Sequence, residues 1–274
     1  MDSFVDQRDY KLLEGDRYTF CVMHEIVGGS CRLLLSDHAR LILCYTCEPY
    51  PVWIWTGEPA PHEALEQAYA LASALDLLRM GRRFNVKYEL ADYLMQRAAE
   101  DGLKLTLCTN MYAYDCQKPI PPSAQADGGL HRCTQEDLDE LTEFMERMHG
   151  ELGIDQMDRT SYRERAGAGI ASGRTFFWKN EQGKAVASCQ YNPDGELARV
   201  GLVFTRPEHR RKHYAENLVY QVTMLANAEG LIPMLYTDAD YVASNACYEK
   251  LGYKLRGRLC SVEVTQEQPS NTSV

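Results

Sequence analysis

Apolar and polar positions run along this chain in two rhythms, one of period two and one of three to four. Residues 18–26 and 32–45 are dense in Phe, Val, Leu, Ile and Tyr and predict strands, with Gly28-Gly29 between them as a turn. A short aromatic strand follows at 52–56. Pro59 and Pro61 then introduce a helix over 62–80, where Leu65, Ala68, Tyr69, Ala72, Leu75 and Leu78 recur at spacings of three and four. A second helix is expected at 86–100, stopping before Asp101-Gly102, and a strand at 103–114. This first segment reads β-β-β-α-α-β.

The second segment opens with a short strand at 131–133, and Thr134-x-x-Asp137 is a capping-box variant at a helix start. The helix that follows should bury Leu138, Leu141, Met145, Met148 and Leu152. Another helix spans about 161–171 and ends at Gly173. Strands at 174–180, 185–191 and 197–205 come next, joined by turns at 181–183 and 192–195 that carry Asn, Gly, Pro and Asp. Then follow a helix at 212–229, a strand at 233–238, a short helix at about 244–251 closed by Gly252, and a strand pair near 253–264. Residues 265–274 read as a flexible polar tail.

Between the segments lies QKPIPPSAQADGG, residues 117–129, whose three prolines and two glycines predict a linker. The expected organisation is therefore a domain at 1–116, a linker, a domain at 130–264 and the tail. Both domains are of mixed α/β (α+β) class. At 274 residues with 45% hydrophobic and 25% charged, the proportions are those of a globular protein with a core of its own. The net charge of −10 argues against nucleic acid or an anionic membrane as partner. The acidic start, MDSFVDQRDY, has no apolar core and does not read as a signal peptide. The longest apolar candidate, 32–47, is broken by Ser36, Asp37, His38 and Arg40 and is too short for a membrane span. Ten scattered cysteines fit free thiols in a reducing cytoplasm. Cys44-x-x-Cys47 has no second pair, and the histidines have no metal spacing, so no metal is expected.

One dense basic run interrupts the acidic chain: His209-Arg210-Arg211-Lys212-His213, between an apolar strand and a helix start. Unpaired backbone N–H groups and the positive end of the helix dipole make such a junction a site for phosphate, and flanking cations reinforce it. A solvated basic turn is the alternative. The surrounding Val203-Phe204-Thr205-Arg206-Pro207-Glu208-His209-Arg210-Arg211-Lys212-His213-Tyr214-Ala215 resembles the acyl-CoA-binding motif of the GNAT superfamily of acetyltransferases: a strand, Pro-Glu-x-Arg, then Gly-Lys-Gly-Tyr-Ala opening a helix. Downstream, Tyr236-Thr237-Asp238 and Ser244-Asn245-Ala246-Cys247-Tyr248-Glu249-Lys250-Leu251-Gly252-Tyr253 resemble the family's second signature. The resemblance covers about 130–264. It implies a C-terminal GNAT fold with a mixed, mostly antiparallel sheet flanked by helices.

The resemblance also implies roles. Backbone groups of Val203, Phe204 and Thr205 would pair with the pantetheine arm of acetyl-CoA, the acyl-donor substrate. The N–H groups of Arg211, Lys212, His213, Tyr214, Ala215 and Glu216 would cradle the pyrophosphate. Tyr248 would protonate the departing thiolate, work that suits a phenol; packing of the last helix on the sheet is the other reading. Asp238 is a candidate base for an amine acceptor, with a surface or capping role as its alternative. Glu151 and Asp155 are weaker candidates for recognising a cationic amine, which the acidic balance mildly favours. Two departures stand out: Arg211 and His213 replace both glycines of the motif, either crowding the site or adding charge to it. Tyr241 stands where the family commonly has Asn. The expected activity is N-acetyl transfer to a primary amine in a ternary complex, by a monomer or homodimer. The rival is a catalytically silent binding or interaction module. The first segment looks like a degenerate half of the same family without a cofactor motif.

Overall fold

The computed structural model describes residues 1–29, 31–153 and 156–265. The sequence-derived tail from 266 on, and Asp155, lie outside them. The chain forms two compact units: Met1–Ala113 with Thr237–Asp240 and the chain from Arg256 on, and Tyr114–Tyr236 with Tyr241–Leu255.

The first unit begins with two helices, α1 (Gln7–Gly15) and α2 (Cys21–Gly28), where the apolar density of 18–26 predicts a strand. Phe20, Met23 and Val27 are all buried, a spacing of three and four that a helix face provides. Strands β1 (Leu33–Ser36) and β2 (Leu41–Tyr45) divide the expected 32–45 strand into a hairpin, because Asp37 accepts the N–H groups of Ala39, Arg40 and Leu41 and folds a turn there. Strand β3 (Val52–Thr56) lies as expected. Helix α3 (His62–Ala74) stops short of Met80 because Asp76 turns left-handed, φ 55°, and sends Leu77 back into the core. Strand β4 (Arg83–Val86), which the pattern did not show, precedes α4 (Tyr88–Glu100) and β5 (Lys104–Asp115). The sheet order is β1-β2-β3-β4-β11-β5, where β11 is Lys254–Thr265. This last strand is one strand and not the expected pair. It pairs with β4 through Cys260↔Val86 and puts Cys260, Val262 and Val264 into the core under α3 and α4. The expected boundary of a self-contained 130–264 domain therefore differs from the observed grouping from Arg256 on.

The second unit opens with β6 (Gly129–Arg132). Thr134 and Asp137 close their capping box on a single 3-10 turn that feeds α5 (Leu138–Leu152). Helix α6 (Arg159–Ala171) follows, then β7 (Thr175–Lys179), β8 (Ala185–Asp194), β9 (Leu197–Thr205), α7 (Tyr214–Ala228), β10 (Ile232–Asp238) and α8 (Val242–Lys250). The sheet runs β6-β7-β8-β9-β10, antiparallel except for the β9–β10 pair. Phe144, Leu141 and Leu138 pack with Phe177 and Phe204 into one core. Leu218, Val219, Val222 and Ala226 of α7 are also buried.

The expected linker is irregular but pinned to this unit. Cys116 N–H donates to Pro233 O, Ile120 N–H to Leu251 O, and Trp178 Nε1 to Asp127 O. Gly128 sits left-handed at φ 77° against the Lys179 carbonyl, where a Cβ would have no room. Element order repeats along the chain: α-α-β-β-β-α-β-α-β occurs twice, the second time ending in β11, and an Asp2–Ser36 bridge stands where the second unit has β6. The fold is a mixed α/β two-unit architecture. Among the described residues, no helix is long and apolar enough to cross a membrane.

Candidate functional site

Strand β9 positions the site. Its early residues pair in parallel with β10, as Leu197↔Ile232, Ala198↔Pro233 and Arg199↔Met234. Beyond Arg199 the two strands part among the described residues, while β9 continues to pair with β8 as far as Thr205↔Ala187. A bulge accompanies the parting: Gly201 and Phe204 oppose Gln190 and Ser188, so Leu202 and Val203 share a single opposite residue. Leu202 is left-handed at φ 52°, and its carbonyl accepts the Ser188 hydroxyl at 2.8 Å. Bulges bend and twist a strand, and here the edge of β9 away from β8 faces no described strand beyond Arg199.

The strand runs into the basic loop through Arg206, which is 6% exposed. Its guanidinium donates to Ala185 O, Glu143 and Glu140, each at 3.1 Å, and lies over the Phe144 ring. Pro207–His209 make one 3-10 turn. Arg210 donates back to Thr205 O at 3.2 Å and pairs with Glu151. His209 is held below the ordinary imidazole value by burial and by Lys184, and so stays neutral beside these cations. Arg211 and His213, the two glycine replacements, both adopt φ 61°. The loop thus keeps the left-handed kinks for which glycine is the usual residue. The side chains of Arg211, Lys212 and His213 are exposed. His213 Nδ1 donates to Glu216 at 2.9 Å, and although burial raises the Glu216 carboxyl, this bond and the Ser123 N–H hold it below its usual range.

Helix α7 starts on this loop, so its first N–H groups have no partner within the helix. The 117–128 segment fixes that first turn: Asn217 donates to Ala124 O at 2.9 Å and Ser123 N–H to Glu216 at 3.2 Å. A hydrogen bond to Asp127 and burial push Tyr214 up to about 12. Open strand edge, kinked basic loop and helix start suit an elongated ligand with a peptide-like arm and a diphosphate, which is the build of acyl-CoA.

Helix α8 brings Tyr248, which is buried, with its ring 5.8 Å from that of Tyr253. Burial, with Cys247 and Cys189 nearby, raises the Tyr248 phenol far above its ordinary value, so it stays protonated. Burial also pushes the Cys247 thiol up to about 11, which makes it a poor nucleophile at neutral pH. Asp238 is exposed, groups with the first unit, and accepts the Asp240 N–H at 2.9 Å. Tyr241 is the exposed cap of α8.

A cavity of about 330 Å³ lies between α5, α6, β8 and β9, lined by Met145, Met148, Tyr162, Arg165, Gln190 and Leu202 among others. Leu202 belongs both to this lining and to the bulge, so the cavity abuts the opened strand. Glu151, a weaker candidate for recognising a cationic amine, pairs with Arg210. A groove of about 710 Å³ along α3 and α4 of the first unit is larger, but Glu63, Glu66 and Asp101 give it the wrong charge for a diphosphate. The β3–α3 loop of that unit, Gly57-Glu58-Pro59-Ala60-Pro61, likewise has no cation.

Sequence reasoning missed Arg206 and Leu202. Arg206 is legible as a charge before a proline, but its partners Glu140 and Glu143 lie far away in sequence. The bulge has no side-chain signature.

Residues 138–253 match the model of the acetyltransferase (GNAT) family. Comparison with curated proteins returns no match. Among solved structures, the chain is similar to a GNAT-family acetyltransferase from Colwellia psychrerythraea: 14% identity, 96% of this chain and 99% of that one covered, TM-score 0.60. A GCN5-related N-acetyltransferase from Sphaerobacter thermophilus gives 11% identity, 95% and 92% coverage and a TM-score of 0.64. Another from Kribbella flavida gives 16%, 94% and 98%, and 0.59. At these identities the likeness is one of fold, and it spans both units.

Proposed function

We propose, from the match of residues 138–253 to the acetyltransferase (GNAT) family, that the chain is an acyl-CoA-dependent N-acyltransferase, moving acetyl from acetyl-CoA to a primary amine by direct attack in a ternary complex. The observation that carries this reading is the length of β9 beyond Arg199, paired with β8 on one side and with no described strand on the other, leading into a loop with two left-handed basic residues and a helix start. The donor supplies an activated thioester carbonyl. Backbone groups of Val203, Phe204 and Thr205 hold its arm as an added strand would. The N–H groups from Arg211 to Glu216 receive the diphosphate, and the side chains of Arg211, Lys212 and His213 add charge that glycines lack.

Tyr248 enters the reaction protonated, because burial disfavours its phenolate. As the amine nitrogen bonds the acyl carbon, the carbon–sulfur bond breaks and its electron pair leaves on sulfur. Tyr248 donates its proton to that sulfur and recovers one from water. The amine's proton leaves to water or to the exposed carboxylate of Asp238, which accepts one backbone N–H and has acceptor capacity left. The products are an amide and CoA thiol.

Calorimetry with acetyl-CoA and CoA, paired with a thiol-release assay on a panel of amines, tests the reading. Micromolar binding with amine-dependent release is expected. No binding at millimolar concentration overturns it, and binding without release from any amine leaves only a ligand-binding module.

A further inference from the structure

We infer that the acceptor is a small amine bearing both an apolar side chain and a carboxylate, an apolar α-amino acid, seated in the cavity between α5, α6, β8 and β9 with its carboxylate on Arg165. This rests on the acyltransferase reading and adds to it the chemistry of the second substrate.

The size of the cavity comes first. About 330 Å³ is at the low end for small-molecule sites, which run from about 300 to 1,000 Å³, and it accommodates one small molecule. Its walls come next. Met145, Met148 and Met157 give it a thioether lining that Tyr162 and Leu202 extend, beside the polar His149, Arg165, Gln190 and Asn192. Methionine is flexible and polarizable, so such a wall adapts to apolar side chains of differing shape.

Charge decides between acceptor classes. Among the described lining residues, the basic groups are the exposed Arg165 and the half-buried His149, and there is no carboxylate. A polyamine or a lysine side chain would bring its ammonium groups towards the Arg165 guanidinium, with no carboxylate among the described lining residues to receive them. A carboxylate meets the planar guanidinium fork in two parallel hydrogen bonds. With five N–H donors, Arg165 can bind a carboxylate while keeping another partner. Gln190 and Asn192 add amide groups on the sheet side of the cavity.

The same surroundings favour the nucleophilic form of the amine. The methionine-lined wall disfavours an ammonium, so the amino group enters in its neutral form. It then meets the thioester where Leu202 joins the cavity to the opened strand. The amide forms as its nitrogen releases a proton to water, the carbon–sulfur bond breaks, and sulfur takes the proton carried by Tyr248, which recovers one from water.

The test uses the full chain. Acetyl-CoA is titrated first; if it does not bind, the acyltransferase reading and this inference fall together. If it binds, methionine, 3-(methylthio)propylamine (methionine without its carboxylate), spermidine and a lysine-containing peptide are titrated by calorimetry into protein saturated with CoA and assayed for thiol release. Methionine is expected to bind at least tenfold tighter than its decarboxylated analogue and to react fastest. In Arg165→Gln that ratio should collapse towards one with acetyl-CoA affinity unchanged, and Arg165→Lys should restore part of it. If Arg165→Gln does not fold, the wild-type ratio alone decides. Equal affinity for methionine and its analogue, no binding of either, or a preference for spermidine or the peptide overturns this inference while leaving acyl transfer standing.

Discussion

Arg211 and His213 show how much a single backbone angle can matter. Both hold φ 61° where a β-carbon is disfavoured, a cost of about 1–2 kcal/mol per residue. Arg211→Gly removes that cost and adds chain entropy to the unfolded state, which offsets about 0.5–1 kcal/mol. Urea unfolding should therefore show Arg211→Gly more stable by about 0.5–1 kcal/mol, with acetyl-CoA affinity lowered by the lost charge. Arg211→Ala should show no such gain, and equal stability of the two variants would mean that the loop relaxes. At Tyr248, the hydroxyl is the only atom that Phe removes. Tyr248→Phe should lower kcat by about 100-fold, the lower end for general acid catalysis, with acetyl-CoA affinity within twofold. Unchanged turnover would make Tyr248 a packing residue against Tyr253.

Elements are held in place by a few charged groups that reach across the sequence. Arg206 ties the loop before α7 to Glu140 and Glu143 on α5 and to the Ala185 carbonyl. Because both glutamates are partly exposed, Arg206→Ala should cost about 2–3 kcal/mol, as for a hydrogen-bonded charge. It should also weaken acetyl-CoA binding through the loosened loop; unfolding and calorimetry on one preparation separate the two effects. In the first unit, His38 links α1 and the chain start to the β1–β2 turn. Its Nδ1 meets Asp9 at 2.6 Å and its Nε2 meets Asp2 at 3.0 Å. The Asp9 hydrogen bond, with that of Asp2, raises the His38 pKa above 6.5. A raised histidine contributes its stability fully below the unfolded value and loses it as pH rises through the folded one. Unfolding free energy should therefore decline as pH climbs above 6.5, and His38→Gln should flatten that decline. An identical slope in both proteins would locate the titrating group elsewhere.

At the scale of the whole molecule, the last strand decides what can fold alone. Arg256 to Thr265 complete the first unit, with Cys260 paired to Val86 and Val262 and Val264 buried. A fragment of residues 1–116 lacks that strand and leaves β4 with an unpaired edge under α3 and α4. It should give no cooperative thermal transition by circular dichroism, whereas the intact chain should; a cooperative fragment would show β11 to be dispensable.

Much of this was legible in local text. The Thr134–Asp137 box, the hairpin turns at Gly183 and Gly195, the strand at 197–205 and the basic start of α7 each have a signature within a few residues. Asp6 and Asp9 form the same box ahead of α1, so the missed helix had a readable start. The run at 18–26 was misread because a short apolar stretch fits either period until its burial is known. Order of elements in the second unit, cofactor-type motif and acidic character were set by the sequence itself, since each depends on neighbours in the chain. Tertiary structure alone decided that β9 parts from β10, that Glu151 is taken by Arg210, that the proline-rich segment is pinned and that β11 closes the first unit. Each of these pairs groups far apart in sequence, and such pairings depend on which surfaces remain to be covered once the local elements have formed.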